Sequence, residues 1–355
     1  MPLENPSCGA GAAVDVVDPL AVPDWDQQVS AMPGAGFFHG AAWARVLQAT
    51  YGYRPQYLVR RESGRLQALL PCMEVASWLT GRRGVSLPFS DSVEPLAPDA
   101  ASFHVLWRAA QELGLRQRWK YLECRGGKPW LPEAPASTTY FRHSVALHPD
   151  DAVLFSALDD ATRRAVRKAE RQNLAVEFSQ GMEAVREFYG LLCRTRRRHG
   201  LPPQPFAFFA NIQRYVLENK IGWIVLARQG SVPVAGAVFV HLGHSALYKY
   251  GASDERYLPL RANNLVMWKA IQWYSRQGVT RLDLGRTSTD NAGLRRFKLA
   301  WGAREEQLEY IRLDIGRNTY TLNRDESSGW YTRIFNVLPM PLSRALGRVL
   351  YGHMG

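Results

Sequence analysis

The order of apolar runs between Trp223 and Leu284 constrains this chain more than any other feature. Three strand-like runs, Trp223 to Ala227, Val232 to His241 and Ser245 to Tyr250, follow one another across short turns. A helix over Asn264 to Arg276 and an alternating run at Arg281-Leu282-Asp283-Leu284 come next. Such alternation predicts an α/β (α+β) chain in which helices cover a mixed sheet. An earlier stretch follows a similar scheme. It has a helix at residues 40–47 with Trp43 and Leu47 on one face, and a hairpin of residues 56–60 and 66–73 around Glu62-Ser63-Gly64. A helix over Ala100 to Leu113 and a strand over Tyr121 to Arg125 complete it, and the Pro-rich segment Pro129 to Pro135 closes that layer.

The 355 residues suffice for two lobes of about 150 to 180 residues each. The pattern predicts a small, loop-like, mobile N-terminus over 1–20, a first lobe over 21–140, a second over 141–315 and a tail over 316–355. No run of about 18 apolar residues occurs, and the start MPLENPSCGAGAAVDVV lacks the basic-then-apolar form of a signal peptide, so a cytosolic protein is expected. Cys8, Cys72, Cys124 and Cys193 are too scattered for a zinc site or a disulfide framework and read as buried thiols. His241 and His244 flank a turn with no third ligand near them, so no metal is expected. Lys and Arg outnumber Asp and Glu 44 to 32, a formal charge of +12, which favours anionic partners: phosphate-bearing metabolites, RNA or an acidic membrane surface.

Residues with special chemical demands concentrate between Thr280 and Ala303. Gly285 reads as the end of the strand, and Asn291, Ala292 and Gly293 as a turn into a short helix. Phe297 and Trp301, four residues apart, share one face of that helix and anchor Lys298 beside it. Asp283, Arg286 and Lys298 then converge at the end of the sheet, where an anionic substrate or a reacting amine is held; the plainer alternative is a core strand, a capped turn and a surface lysine. Upstream, Arg261, Asn263 and Asn264 begin a helix whose free N–H groups and dipole suit a phosphate. Two helices are strongly basic, Ser156 to Arg171 with Arg163 and Arg167 one turn apart, and Glu183 to His199 with arginines in its last turns. A solvated face is the plain reading of both. The loop Ser86-Leu87-Pro88-Phe89-Ser90-Asp91 reads either as a cleft lining or as an ordinary strand exit.

Taken in order, Val234-Ala235-Gly236, Tyr248-Lys249-Tyr250-Gly251-Ala252-Ser253, Asn263-Asn264, Asp283-Leu284-Gly285-Arg286 and Gly293-Leu294-Arg295-Arg296-Phe297-Lys298-Leu299-Ala300-Trp301-Gly302 resemble the FemAB-like branch of the GNAT acyltransferases. The run Asp160 to Glu170 looks like the same family's basic helix, and the likeness spans residues 140 to 312. It is most similar to members associated with bacterial exopolysaccharide and exosortase systems. The resemblance implies two tandem GNAT-like lobes with a cleft between them, and transfer of an acyl or aminoacyl group to an amine. In that frame Lys298 and Arg286 stabilise charge and Asp283 orients Arg286. Phe297, Trp301, Tyr248, Tyr250, Ser253 and Asn291 bound the substrate space, while Arg163 and Arg167 meet a sugar-phosphate or other anionic acceptor. Leu258-Pro259-Leu260-Arg261-Ala262-Asn263 lacks the glycines of the usual acetyl-coenzyme A loop, and no long helical hairpin of the tRNA-using Fem enzymes is evident. An acyl-coenzyme A such as acetyl-coenzyme A and an aminoacyl-tRNA both stay open as donors. Two other readings are a catalytically silent scaffold in polysaccharide assembly and a basic RNA-binding module. The tail from Trp330, with Ile334, Phe335, Leu342, Leu346 and Val349 among Arg333, Arg344 and Arg348, lies on a membrane surface, packs on the second lobe or forms a dimer contact.

Overall fold

The computed structural model of the protein describes residues 13–322 and 339–354. Its strands are β1 (Val14–Val17), β2 (Arg54–Pro55), β3 (Tyr57–Glu62), β4 (Arg65–Leu70), β5 (Met73–Ser77), β6 (Gly81–Val85), β7 (Tyr121–Arg125), β8 (Thr138–Ala146), β9 (Ala175–Ser179), β10 (Gly222–Gln229), β11 (Val232–Leu242), β12 (Ser245–Ser253), β13 (Arg281–Ser288), β14 (Arg304–Asp314) and β15 (Thr319–Tyr320). The helices are α1 (Trp25–Ser30), α2 (Ala41–Tyr51), α3 (Ala100–Arg116), α4 (Asp151–Ser156), α5 (Asp160–Glu170), α6 (Met182–Arg198), α7 (Phe206–Ile212), α8 (Ala262–Arg276), α9 (Ala292–Leu299) and α10 (Met340–Tyr351).

One mixed sheet runs through the whole molecule in the order β2-β5-β6-β7-β14-β8-β13-β12-β11-β10-β9, and β1, β3 and β4 form a second, small sheet. The two halves of the large sheet are built alike. In each, an antiparallel pair (β5–β6, β11–β12) is followed by a covering helix (α3, α8) that leads into a parallel strand (β7, β13). Three apolar cores result. Helix α3 covers one face of the first half and α8, with α5, one face of the second. The third core holds α2, α6 and α7 against strands of both halves. The halves are stitched by β8 and β14: β13 pairs with β8, β8 with β14, and β14 with β7. The last long strand of the second half therefore completes the first, which a division at residue 140 does not reveal.

Several local expectations change. Val14–Val17, expected as loop, pairs with β3. The basic helix expected over 156–171 breaks before Asp159, whose carboxylate accepts from the Thr162 N–H at 2.6 Å and starts α5 afresh. Gly285 does not end β13. Pairing with β8 passes from Asp283–Ser144 to Arg286–Arg142, so Leu284 and Gly285 face one residue, a bulge in which Gly285 takes φ +72°. A second bulge interrupts β12, where Tyr248 pairs with Phe239 and Tyr250 with Val238, leaving Lys249 unpaired. One inserted residue reverses the side-chain alternation beyond it. Tyr248 consequently packs in the α8 core against Phe239, and Tyr250 packs on the other face against Phe208 and Phe209, although their spacing assigns them to one face. Cys72, Cys124 and Cys193 are buried free thiols, and Cys8 lies outside the described residues. The apolar residues 330–338 of the tail also lie outside them.

Candidate acyl-transfer site

The parallel pair β12–β13 is joined only at Ser245–Arg281, Ala246–Leu282 and Leu247–Asp283. Both strands continue beyond, β12 to Ser253 and β13 to Ser288, with no further pairing between them. They part like a fork, and unpaired backbone and side chains from both edges face the gap.

Charge gathers where the fork opens. Lys249, the bulged residue of β12, has a side chain only 6 % exposed and donates to Asp91 Oδ2 at 2.8 Å. Asp91 comes from the first half, on the loop after β6. This loop bends through Leu87 and Phe89, both at positive φ, and is tied down by Arg125 of β7, which donates to the carbonyls of Leu87 and Ser90 at 3.1 and 3.2 Å. The Asp91 carboxyl lies against Gly285, where a Cβ would come within 3.3 Å of it. Arg286 donates to the Tyr310 hydroxyl at 2.6 Å and stacks over the Tyr140 ring at 4.4 Å. Lys298, 3 % exposed, reaches from α9 and donates to the carbonyls of Gly285 and Arg286 at 2.8 and 2.9 Å. The bulge at Gly285 thus places two successive carbonyls within reach of one ammonium.

Burial works to raise the Asp91 carboxyl, but Lys249 and Arg286 outweigh it and hold it below the usual carboxylate range. Burial likewise lowers Lys249 against the pull of Asp91. For Lys298 burial dominates, opposed by Asp91 and Asp283, and its ammonium is pushed down to about 8. Three cations, Lys249, Arg286 and Lys298, thus surround one carboxylate, an excess of positive charge suited to a developing oxyanion.

A groove lies beside β12 and the start of α8. Tyr248, Gly251, Ser253, Asn263 and Phe297 line a pocket of about 240 Å³ together with Thr195 and Arg198. Ser253, Asn263 and Phe297 also line its neighbour of about 150 Å³, with Arg261 and Asn264 at the start of α8. Arg198 and Ser253 continue into a third space of about 420 Å³ beside Arg194, Arg197 and Arg256. Gly251 is required there, because a Cβ would lie 1.7 Å from the Tyr248 hydroxyl.

The structure therefore places Lys298 and Arg286 at the fork, and Phe297, Tyr248, Ser253, Arg261, Asn263 and Asn264 on the groove. Other expected members take different roles or places. Asp283 does not orient Arg286. It pairs with Arg142 at 2.7 Å and accepts from the Gly285 N–H, on the wall of a small pocket of about 90 Å³ that Asp91, His39 and Glu94 also line. Trp301 is wholly buried in the α8 core, and Tyr250 faces α7. Asn291 caps α9 by accepting from Leu294 N–H at 3.0 Å. Arg163 is turned back on Ser156 and Asp160, and Arg167 lies over Phe155. His241 and His244 bond Tyr274 and the Gly278 carbonyl. Among the described residues no group of three His, Cys, Asp or Glu gathers as a metal site. Sequence reasoning missed Asp91, Lys249, Tyr310 and Arg125. The signals available were the polar loop Ser86 to Asp91 and a lysine set between two tyrosines, neither of which announces a bulge.

Residues 157–299 match the family described as acetyltransferase (GNAT) domain, a span that contains the fork and most of the groove. Over 96 residues the chain is 30% identical to lipid II:glycine glycyltransferase of Staphylococcus saprophyticus, which covers 25% of this chain and 22% of that protein. The namesake from Staphylococcus epidermidis is 29% identical over 97 residues. The fold superposes on the crystal structure of FemX with a TM-score of 0.69 at 14% identity, covering 84% of this chain and 96% of that one. Residues 157–299 thus resemble a GNAT acetyltransferase domain, and the chain is similar to FemAB-like proteins. The C-terminal domain of a putative lysylphosphatidylglycerol synthetase from Agrobacterium fabrum shares the fold, with a TM-score of 0.54 at 14% identity, covering 80% of this chain and 90% of that one. Because this FemAB-like chain spans only 22% of the length of the glycyltransferases it matches, their activity is not transferred to it by likeness.

Proposed function

We propose that this FemAB-like protein is an N-acyltransferase that moves an acyl or aminoacyl group from a phosphate-bearing carrier to an amine, on a lipid-linked or sugar-phosphate acceptor of bacterial envelope or exopolysaccharide synthesis. The observation that carries the reading is the gathering of Lys249, Arg286 and Lys298 around Asp91 where β12 and β13 part. The donor lies in the groove, its phosphates toward the first turn of α8 and the arginines of α6, and its carbonyl at the fork. The acceptor amine attacks that carbonyl, and the proton it loses ends on the sulfur or ribose oxygen of the departing carrier. The carbonyl oxygen becomes an oxyanion, which collapses to an amide as the carrier leaves as a thiol or a ribose hydroxyl. A unit charge about 4 Å from the oxyanion at an effective dielectric near 20 contributes on the order of 4 kcal/mol before desolvation. Asp91, held ionised by its two cations, serves as their charge partner rather than as proton acceptor. A coenzyme A thioester and an aminoacyl-tRNA both satisfy these terms, and a lipid-linked acceptor is supported by the likeness to the staphylococcal lipid II:glycine glycyltransferases. The protein works on this reading at the cytoplasmic side of the envelope.

Calorimetric titration with acetyl-coenzyme A, longer acyl-coenzyme A thioesters and charged tRNA tests the donor. Saturable binding of one class is expected, weakened roughly tenfold by Arg261→Ala through loss of a charged hydrogen bond. A folded protein that binds none of them contradicts the reading.

A further inference from the structure

The C-terminal helix is held to the body by its inner face alone. Tyr351 donates to the Pro202 carbonyl at 3.2 Å, and its own carbonyl accepts from the Tyr53 hydroxyl at 3.1 Å. Arg83 donates to the His353 carbonyl at 2.7 Å, and Gly347 lies so close to Pro203 that a Cβ would meet its carbonyl at 2.2 Å. The outer face is apolar: Leu342, Leu346 and Val349, at helical spacing, are 54%, 41% and 59% exposed.

A second apolar element stands beside its end. The turn between β5 and β6 carries Trp78, 84% exposed, and Leu79, and the Trp78 ring meets the His353 ring edge-on at 5.5 Å. Both elements are flanked by basic residues. Arg344 and Arg348, both exposed, lie on one flank of α10, Arg344 over the Tyr189 ring at 5.3 Å, and Lys120, bonded to the Thr80 carbonyl at 2.9 Å, sits at the turn. Neither α10 nor residues 78–82 contain an acidic residue.

We infer that α10 and the Trp78 turn form a docking face for an anionic lipid bilayer, with the helix lying in the plane of the interface. A protruding tryptophan beside an in-plane amphipathic helix matches the interfacial zone, where indole rings and apolar stripes sit among headgroups. The basic flank supplies attraction to acidic lipids and repels a second copy, which would present the same charges. No helix among the described residues is long and apolar enough to cross a membrane, so the contact is peripheral. This inference is independent of which group the enzyme transfers.

Co-sedimentation of the full chain with vesicles of phosphatidylcholine alone, or of phosphatidylcholine mixed with phosphatidylglycerol, tests it. Binding to the mixed vesicles only is expected, falling by roughly tenfold in Trp78→Ser/Val349→Ser and again in Arg344→Glu/Arg348→Glu. The thermal unfolding of each variant establishes that it is folded. The inference is overturned by a wild-type chain that ignores mixed vesicles, by equal binding to both kinds, or by a folded variant of either pair that binds undiminished. Self-association without lipid that Trp78→Ser abolishes also overturns it, by giving the face to a second copy.

Discussion

Lys298 combines two properties that conflict: it is buried, and the proposed transfer wants its charge. Its ammonium titrates near 8 rather than at the ordinary 10.5, because the pocket withdraws water and returns two carbonyl bonds and the distant pull of Asp91 and Asp283. Between these values the unfolded chain holds a proton that the folded chain has released, so folding stability rises with pH across that window. The cost of keeping Lys298 charged at neutral pH is at most on the order of 3 kcal/mol. Lys298→Met should accordingly unfold at a higher urea concentration than wild type at pH 7, with the difference shrinking toward pH 10. If the charged form stabilises the oxyanion, kcat/KM of the wild-type enzyme falls as pH rises through about 8. A rate that climbs through the same pH would instead give Lys298 the role of proton acceptor.

At the scale of elements, the two bulges decide what the fork presents. Their surroundings were legible in the sequence: the strands 223–227, 232–241 and 245–250, the helix ending at Arg276 and the strand beginning at Arg281 all appear where periodicity puts them. The bulges were not, because Lys249 and Gly285 sit in runs whose alternation continues on paper while the pairing slips by one residue. That slip sent Tyr250 to the wrong face in the sequence reading, and it made Gly285 look like a terminus. Arg163 and Arg167 misled for a different reason, since a basic helix looks the same whether its arginines face a ligand or their own chain. Gly285→Ala tests the bulge. Its φ of +72° and the nearby Asp91 carboxyl leave little room for a methyl group, and a loss of about 1 to 2 kcal/mol in equilibrium unfolding is expected. An unchanged stability would mean that β13 can pair straight through this position.

Across the whole molecule, the charge cluster at the fork exists because one half hands a carboxylate to the other. Asp91 belongs to the first half and its partners Lys249 and Arg286 to the second, and the shared strands β8 and β14 keep them in register. The likeness in sequence begins near residue 140, so nothing in it pointed to Asp91. Removing this carboxylate strands the buried Lys249 ammonium, and Asp91→Ala should lose about 3 to 5 kcal/mol of stability, measured by urea unfolding. A loss below 1 kcal/mol would mean that water replaces it. The central claim, that the fork is where the acyl group changes hands, is tested most directly by single-turnover transfer from whichever donor binds. Wild type and Lys298→Ala would be compared at pH 7 with a panel of amine acceptors, and donor affinity measured on the same samples. A rate lowered by roughly 100-fold in Lys298→Ala is expected, with a donor Kd changed by less than about threefold. A folded Lys298→Ala protein that transfers at the full rate would contradict it.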